Sequence, residues 1–102
     1  MSESSLLGAP ALLALDGLTL VVLDVRSTAG DDIQKAARSV DADKQRRLTE
    51  ATLRFLTRKG LLNRLAVRFD VMAISWPPES REPRVLHLRH AFESVGRFQL
   101  HS

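Results

Sequence analysis

Residues 18–26, Leu18-Thr19-Leu20-Val21-Val22-Leu23-Asp24-Val25-Arg26, decide the fold. The run is rich in β-branched side chains, and residues 18–23 carry almost no polarity. Such a stretch is a strand buried on both faces in the middle of a sheet. Just upstream, Asp16-Gly17 is a turn signal between two apolar runs. Residues 9–15 (Ala-Pro-Ala-Leu-Leu-Ala-Leu) are therefore an edge strand joined to the first by a hairpin, with Pro10 tolerated near its start.

Downstream, Gly30-Asp31-Asp32 marks a loop inside an undecided segment, residues 27–40. Asp41 or Asp43 caps a helix that runs to about Lys59, where Gly60 supplies the stop. Leu48, Ala51, Thr52, Phe55 and Leu56 fall at the helical spacing of an inner stripe. Arg47, Glu50, Arg54 and Arg58 fall on the wet side. Glu50 is placed to pair with Arg46 or Arg54, which is worth only about 0.2–0.5 kcal/mol.

Residues 65–76 alternate, with Leu65, Val67, Phe69, Val71 and Ala73 pointing one way and Arg68, Asp70, Met72, Ile74 and Trp76 the other. Pro77-Pro78 through Pro83 forms a polar turn. Residues 84–89 are the last strand, and Ala91-Phe92 begins a short packed tail. The order is β-β-α-β-β, an α/β fold with one main helix on a mixed four-stranded sheet. The chain is one domain, 1–102, with a core over 8–92 and tails at 1–7 and 93–102. A central strand apolar on both sides needs cover on both sides. The second cover falls to the 27–40 segment, to a dimer partner, or to an element outside this order.

The 102 residues carry 15 basic and 12 acidic side chains, a net charge of +3, and 44% apolar residues. Five acids and one base occupy residues 1–32, whereas residues 33–59 hold Lys35, Arg38, Lys44, Arg46, Arg47, Arg54, Arg58 and Lys59. That asymmetry fits a solvated helix face or a phosphate-binding face. The absence of cysteine excludes disulfides, thiolate nucleophiles and Cys-based metal sites. The first residues lack a basic region before a long apolar core, and no uncharged apolar run approaches about 18 residues. Cytoplasm is the expected location, with no membrane contact.

Asp24 and Arg26 end the central strand and, two apart, point to one face about 6.5–7 Å from each other. A carboxylate and a cation so placed can hold a divalent metal beside a phosphate, or can be a strand emerging into solvent with an ion pair. Arg68 and Asp70 repeat the spacing, so Asp70 is a second candidate acid or a structural partner of a base. His87 and His90, three apart, fall on opposite faces of a strand, and with His101 they make no metal set. No Ser-His-Asp constellation, Gly-rich phosphate loop or HExxH is present.

The stretch Gly8–Gly17 followed by Thr19–Ser27, together with Lys44-Gln-Arg-Arg-Leu48, Arg68-Phe-Asp-Val71 and His87-Leu-Arg-His-Ala-Phe92, resembles the small bacterial YraN-type family. That family is uncharacterised, looks like Holliday-junction resolvases, and is similar in fold to restriction endonucleases. The resemblance implies a restriction-endonuclease-like mixed sheet. It places Asp24 at the second acid of a nuclease signature and Arg26 at its Lys or Arg position. It departs from the family where Ala9 and Ala11 replace acids, Ala11 standing at the first metal-binding carboxylate. The family's opening helix is largely absent. Hence Asp24 and Arg26 are a catalytic remnant, Asp24 and Asp70 the candidate metal ligands, and Mg²⁺ the cofactor of any surviving activity. Lys44, Arg46, Arg47 and Arg68 are the candidate nucleic-acid contacts. The expected function is nucleic-acid binding, DNA foremost, with an incomplete catalytic site. The alternatives are a non-enzymatic structural or interaction protein, homodimeric through its open sheet face, and a weakly active Mg-dependent DNA endonuclease.

Overall fold

A computed structural model describes residues 11–29 and 32–93. Ala9, Pro10, the Gly30-Asp31 part of the loop, the tail 1–7, residues 94–102 and so His101 lie outside the described residues. The elements run β1 (Leu12–Asp16), β2 (Thr19–Thr28), α1 (Ile33–Ala37), α2 (Ala42–Arg58), β3 (Ala66–Ser75) and β4 (Arg84–Phe92). The sheet order is β1-β2-β3-β4. Strands β1 and β2 are antiparallel, β2 and β3 parallel, β3 and β4 antiparallel. This is the mixed four-stranded sheet with one main helix, and a short helix, α1, is added to it.

Local chemistry sets the element ends. Gly17 takes φ +62 between Asp16 and Thr19, the left-handed value a two-residue hairpin loop needs at its first position. Leu18 is therefore an exposed turn residue and not the first of β2. Asp41 caps α2 by accepting the Lys44 backbone N–H at 2.8 Å. At the other end Leu61 N–H donates to the Leu56 carbonyl at 2.8 Å and Gly60 N–H to that of Thr57 at 3.2 Å, with Gly60 at φ +68. That pair of bonds satisfies the orphan carbonyls of the last turn. On the wet face the helix pairs Asp43 with Arg47 at 3.3 Å, not Glu50 with a neighbour.

Strand register fixes which side chains share a face, because alternate residues point the same way. Leu20, Val22, Asp24 and Arg26 of β2 lie beside Val67, Phe69, Val71 and Ala73 of β3. Leu48, Ala51, Phe55 and Leu56 of α2 bury the first part of this face together with Ala11 and Leu13. Fully burying one such Leu or Phe stabilises the fold by about 1.5–3 kcal/mol. Thr49 and Thr52 are buried without penalty, since their hydroxyls donate to the Gln45 and Leu48 carbonyls at 2.8 and 2.7 Å.

Two expectations are corrected. The segment before α2 does not cover the second face of the sheet. Ile33, Ala37 and Val40 pack on Val71 and Ala73, the part of the same face that α2 leaves bare. The far face carries no described helix, and it exposes Leu12, Val25 and Val85. Second, Ala91-Phe92 is not a tail. β4 continues to Phe92 through a bulge, pairing Val71 with Leu88 and Phe69 with Phe92, so that Asp70 faces residues 89–91. His90 takes φ +51 there, and the Phe69 and Phe92 rings stack with centroids 4.9 Å apart.

Candidate functional site

Asp24 sits on the helix-covered face of β2, where the apolar cluster under α2 gives way to the one under α1. Its side chain is 1% exposed. Arg26 Nε donates to Asp24 Oδ2 at 2.9 Å, and Arg26 Nη1 donates to Ser39 Oγ at 3.0 Å. Ser39 is itself fixed by donating to the Ala36 carbonyl at 2.7 Å. Lys44 Nζ lies 2.8 Å from Asp24 Oδ1. That approach is off the hydrogen-bond axis, since Oδ1 has no hydrogen-bond partner among the described residues. The contact is an ion pair, and an ammonium with three N–H donors keeps at least two of them for other acceptors.

Lys44 reaches Asp24 because the Asp41 cap sets the first turn of α2 against the end of β2. A cation in that turn opposes the helix dipole, at a cost of about 0.3–1 kcal/mol at an exposed position. The buried carboxylate offsets this. The two cationic side chains remain 20% and 26% exposed and lie between the carboxylate and solvent. The three side chains together carry one net positive charge; Arg46 and Arg47 lie exposed further along the same helix, Arg47 in an ion pair with Asp43.

The residue just before β1, which neighbours Asp24, is equally informative. Leu12 pairs with Leu23, so the antiparallel register places Ala11 opposite Asp24. Ala11 is 3% exposed and packs among apolar side chains. The position the resemblance assigns to the first metal-binding acid therefore adjoins Asp24 and contributes a methyl group. Among the described residues no group of three or more His, Asp or Glu is placed to hold a metal ion. Mg²⁺ demands near-octahedral oxygen ligands at about 2.0–2.1 Å. One carboxylate, with a cation already against each oxygen, does not fit that ion.

Asp70, the other candidate acid, points to the open face of the sheet beside Leu23. The structure does not bring it together with Asp24. Arg68 grips it with Nε and Nη2 at 2.9 and 3.1 Å, His87 Nε2 donates at 2.8 Å, and the His90 backbone N–H donates at 3.0 Å. Burial pushes the Asp70 carboxyl up. The Arg68 guanidinium, then the His90 N–H and the His87 ring, outweigh burial and hold it below the usual carboxylate range. Arg68 is raised above its ordinary value, chiefly by its hydrogen bond to Asp70. Arg68 also reaches Asp16, at 3.3 Å. It is thus engaged on the opposite face from Lys44, Arg46 and Arg47.

His87 and His90 both serve Asp70, one by its ring and the other by its backbone, because the bulge breaks strict alternation. The His90 ring instead meets Glu93 at 2.9 Å. A groove of about 480 Å³ runs over this open face, lined by Leu12, Leu15, Val21, Leu23, Arg68 and His87 among others. The sequence singles out Lys44 as a candidate nucleic-acid contact and not as a partner of Asp24. Ser39 carried no signal at all.

Comparison with known proteins adds the lineage. The family model described as uncharacterised protein family UPF0102 matches residues 10–74. A UPF0102 protein of Rhodopirellula baltica is 41% identical over 98 residues, covering 93% of this chain and 58% of the relative. One from Geobacter sulfurreducens is 44% identical over 85 residues, covering 80% and 62%. One from Pelotomaculum thermopropionicum is 34% identical over 86 residues, covering 84% and 71%. The chain spans about six-tenths of the length of the first two. No described helix is long and apolar enough to cross a membrane.

Proposed function

The chain belongs to the uncharacterised protein family UPF0102, and from that premise we propose that it binds nucleic acid, DNA foremost, on a nuclease-like sheet whose catalytic set is incomplete. The observation that carries this reading is the pairing of Arg26 and Lys44 over buried Asp24 with Ala11, and no acid, at the adjoining position just before β1. A buried carboxylate here orients two cations toward solvent, which suits a phosphate oxygen. Arg46 and Arg47 are further exposed cations of α2, Arg47 sharing its charge with Asp43.

Binding of this kind is backbone electrostatics and weakens steeply with salt, by a log–log slope near −0.9 per phosphate contact on duplex DNA. A gel-shift titration on duplex, branched and single-stranded DNA tests it. Retention at low salt that disappears as salt rises supports the reading, and no retention at low salt overturns it. Incubation with branched DNA and Mg²⁺ tests for endonuclease activity, which would have to disappear in Asp24→Ala.

The exposed Leu12, Val25 and Val85 on the open face favour a second reading, a non-enzymatic interaction protein that pairs through that face with another copy of itself. Sedimentation equilibrium separates the two, since a stable monomer at high concentration removes the dimer.

A further inference from the structure

We infer that Lys44 is the resident cation of the Asp24 site: its ammonium occupies the ground a divalent metal would need, so the site meets an oxyanion directly and without divalent metal. The oxyanion half of this inference rests on the nucleic-acid reading above. The metal half does not.

Four observations converge. Each oxygen of Asp24 already has a cation against it, Lys44 Nζ at 2.8 Å on Oδ1 and Arg26 Nε at 2.9 Å on Oδ2. The register position that could add a second carboxylate is Ala11, buried among apolar side chains. Lys44 stands in the first turn of α2, against the helix dipole, a place that local helix chemistry disfavours and that contact with Asp24 explains. Finally, the ammonium has three N–H donors and one ion-pair contact, with Oδ1, among the described residues, which leaves donors for an incoming acceptor.

A divalent ion entering this site would have to displace Lys44 and would then find one carboxylate beside the Arg26 guanidinium. A phosphodiester oxygen faces the reverse situation. It meets one net positive charge and two donor-bearing side chains, partly exposed, already held in place by a carboxylate beneath them.

Mn²⁺ titration of the purified protein alone, read by the electron paramagnetic resonance signal of the free ion, tests the metal half. The wild-type chain should leave that signal undiminished at millimolar Mn²⁺. Mn²⁺ binding by the wild type that is lost in Asp24→Asn overturns the inference. The double variant Ala11→Asp/Lys44→Met supplies a second carboxylate and removes the ammonium, so it should deplete the signal. A folded double variant that binds no Mn²⁺ overturns the assignment of Lys44 to the cation's place. Should that variant not fold, the wild-type titration still decides.

The oxyanion half is read by gel shift of wild-type protein in EDTA against Mg²⁺. Equal retention is expected, and retention only with Mg²⁺ overturns the inference. If no DNA is retained in either condition, the nucleic-acid reading and this half fall together, while the Mn²⁺ titration still judges the Lys44 assignment.

Discussion

Asp24 and Asp70 occupy adjacent central strands, both are buried, and each has an arginine two residues away on its own strand. Register turns them to opposite faces, and their surroundings then diverge. Asp70 is saturated, with two guanidinium nitrogens, an imidazole and a backbone N–H directed at its oxygens. Among the described residues Asp24 has one hydrogen bond, from Arg26, and one ion-pair contact, from Lys44. All partners of Asp70 come from β3 and β4 and fill both its oxygens, whereas Asp24 takes one partner from its own strand and one, Lys44, from the first turn of α2. A buried carboxylate with all its acceptor positions filled rigidifies a fold. One with an acceptor position left unfilled keeps cations over it that have donors to offer a ligand.

The largest effect separating them should be on stability. Asp70→Asn breaks a buried ion pair and presents an amide to donors, so it should cost roughly 3 kcal/mol. Urea unfolding measures this through the midpoint at constant m-value. Asp24→Asn should cost clearly less, about 1 kcal/mol, because among the described residues Asp24 accepts one hydrogen bond where Asp70 accepts four. Equal costs would break the comparison.

On nucleic acid the order should reverse. Arg47→Ala, at an exposed position, should lower the magnitude of the log–log salt slope by about 0.9 if Arg47 touches a duplex phosphate. Arg68→Ala, which is committed to Asp70 and Asp16, should leave the slope unchanged. A slope that responds to Arg68 and not to Arg47 would move the binding face to the other side of the sheet.

A smaller effect concerns acid. The Asp70 carboxyl is held below its ordinary value in the folded state. Its stabilisation is therefore fully present above the unfolded-state value, about 3.9, and is lost as pH falls through the lower folded value. Stability measured from pH 5 downward should fall less steeply in Asp70→Asn than in the wild type.

The smallest effect tests how His90 acts. Its backbone N–H, not its ring, meets Asp70, and its φ is +51. His90→Gly keeps the donor and suits the left-handed conformation, so thermal unfolding should change by less than about 1 kcal/mol. His90→Val should destabilise more, since a β-branched residue resists that backbone.

These contrasts also explain which features were legible in the sequence. β2 and β3 stood out because continuous burial and strict alternation are strong signals over ten residues. The inner stripe of α2 was legible for the same reason, and all five of its residues are buried. α1 was hidden because five residues carry too little periodicity, and its only local mark is the Asp32 cap on Lys35 N–H. The bulge at His90 left no trace, as no glycine announces it. A turn read at Asp16-Gly17 sets position 9 opposite Asp24; the two-residue loop is Gly17-Leu18, a shift that brings Ala11 there and that the sequence did not announce. The meeting of Lys44 with Asp24 joins a helix to a strand twenty residues away and has no local signature.

The parallel pairing of β2 with β3 carries a consequence for how the chain folds. Thr19 lies beside Ala66, so the two central strands meet only after everything between them has been gathered in. The β1–β2 hairpin closes over a two-residue turn and can form within microseconds, whereas the long closure comes late and dominates the barrier. Asp24 therefore waits on the early hairpin beside Ala11, while Asp70 and Arg68 arrive on a strand that docks afterwards. Mutations that weaken the Asp70 cluster should then mainly hasten unfolding, and those in the hairpin should slow folding.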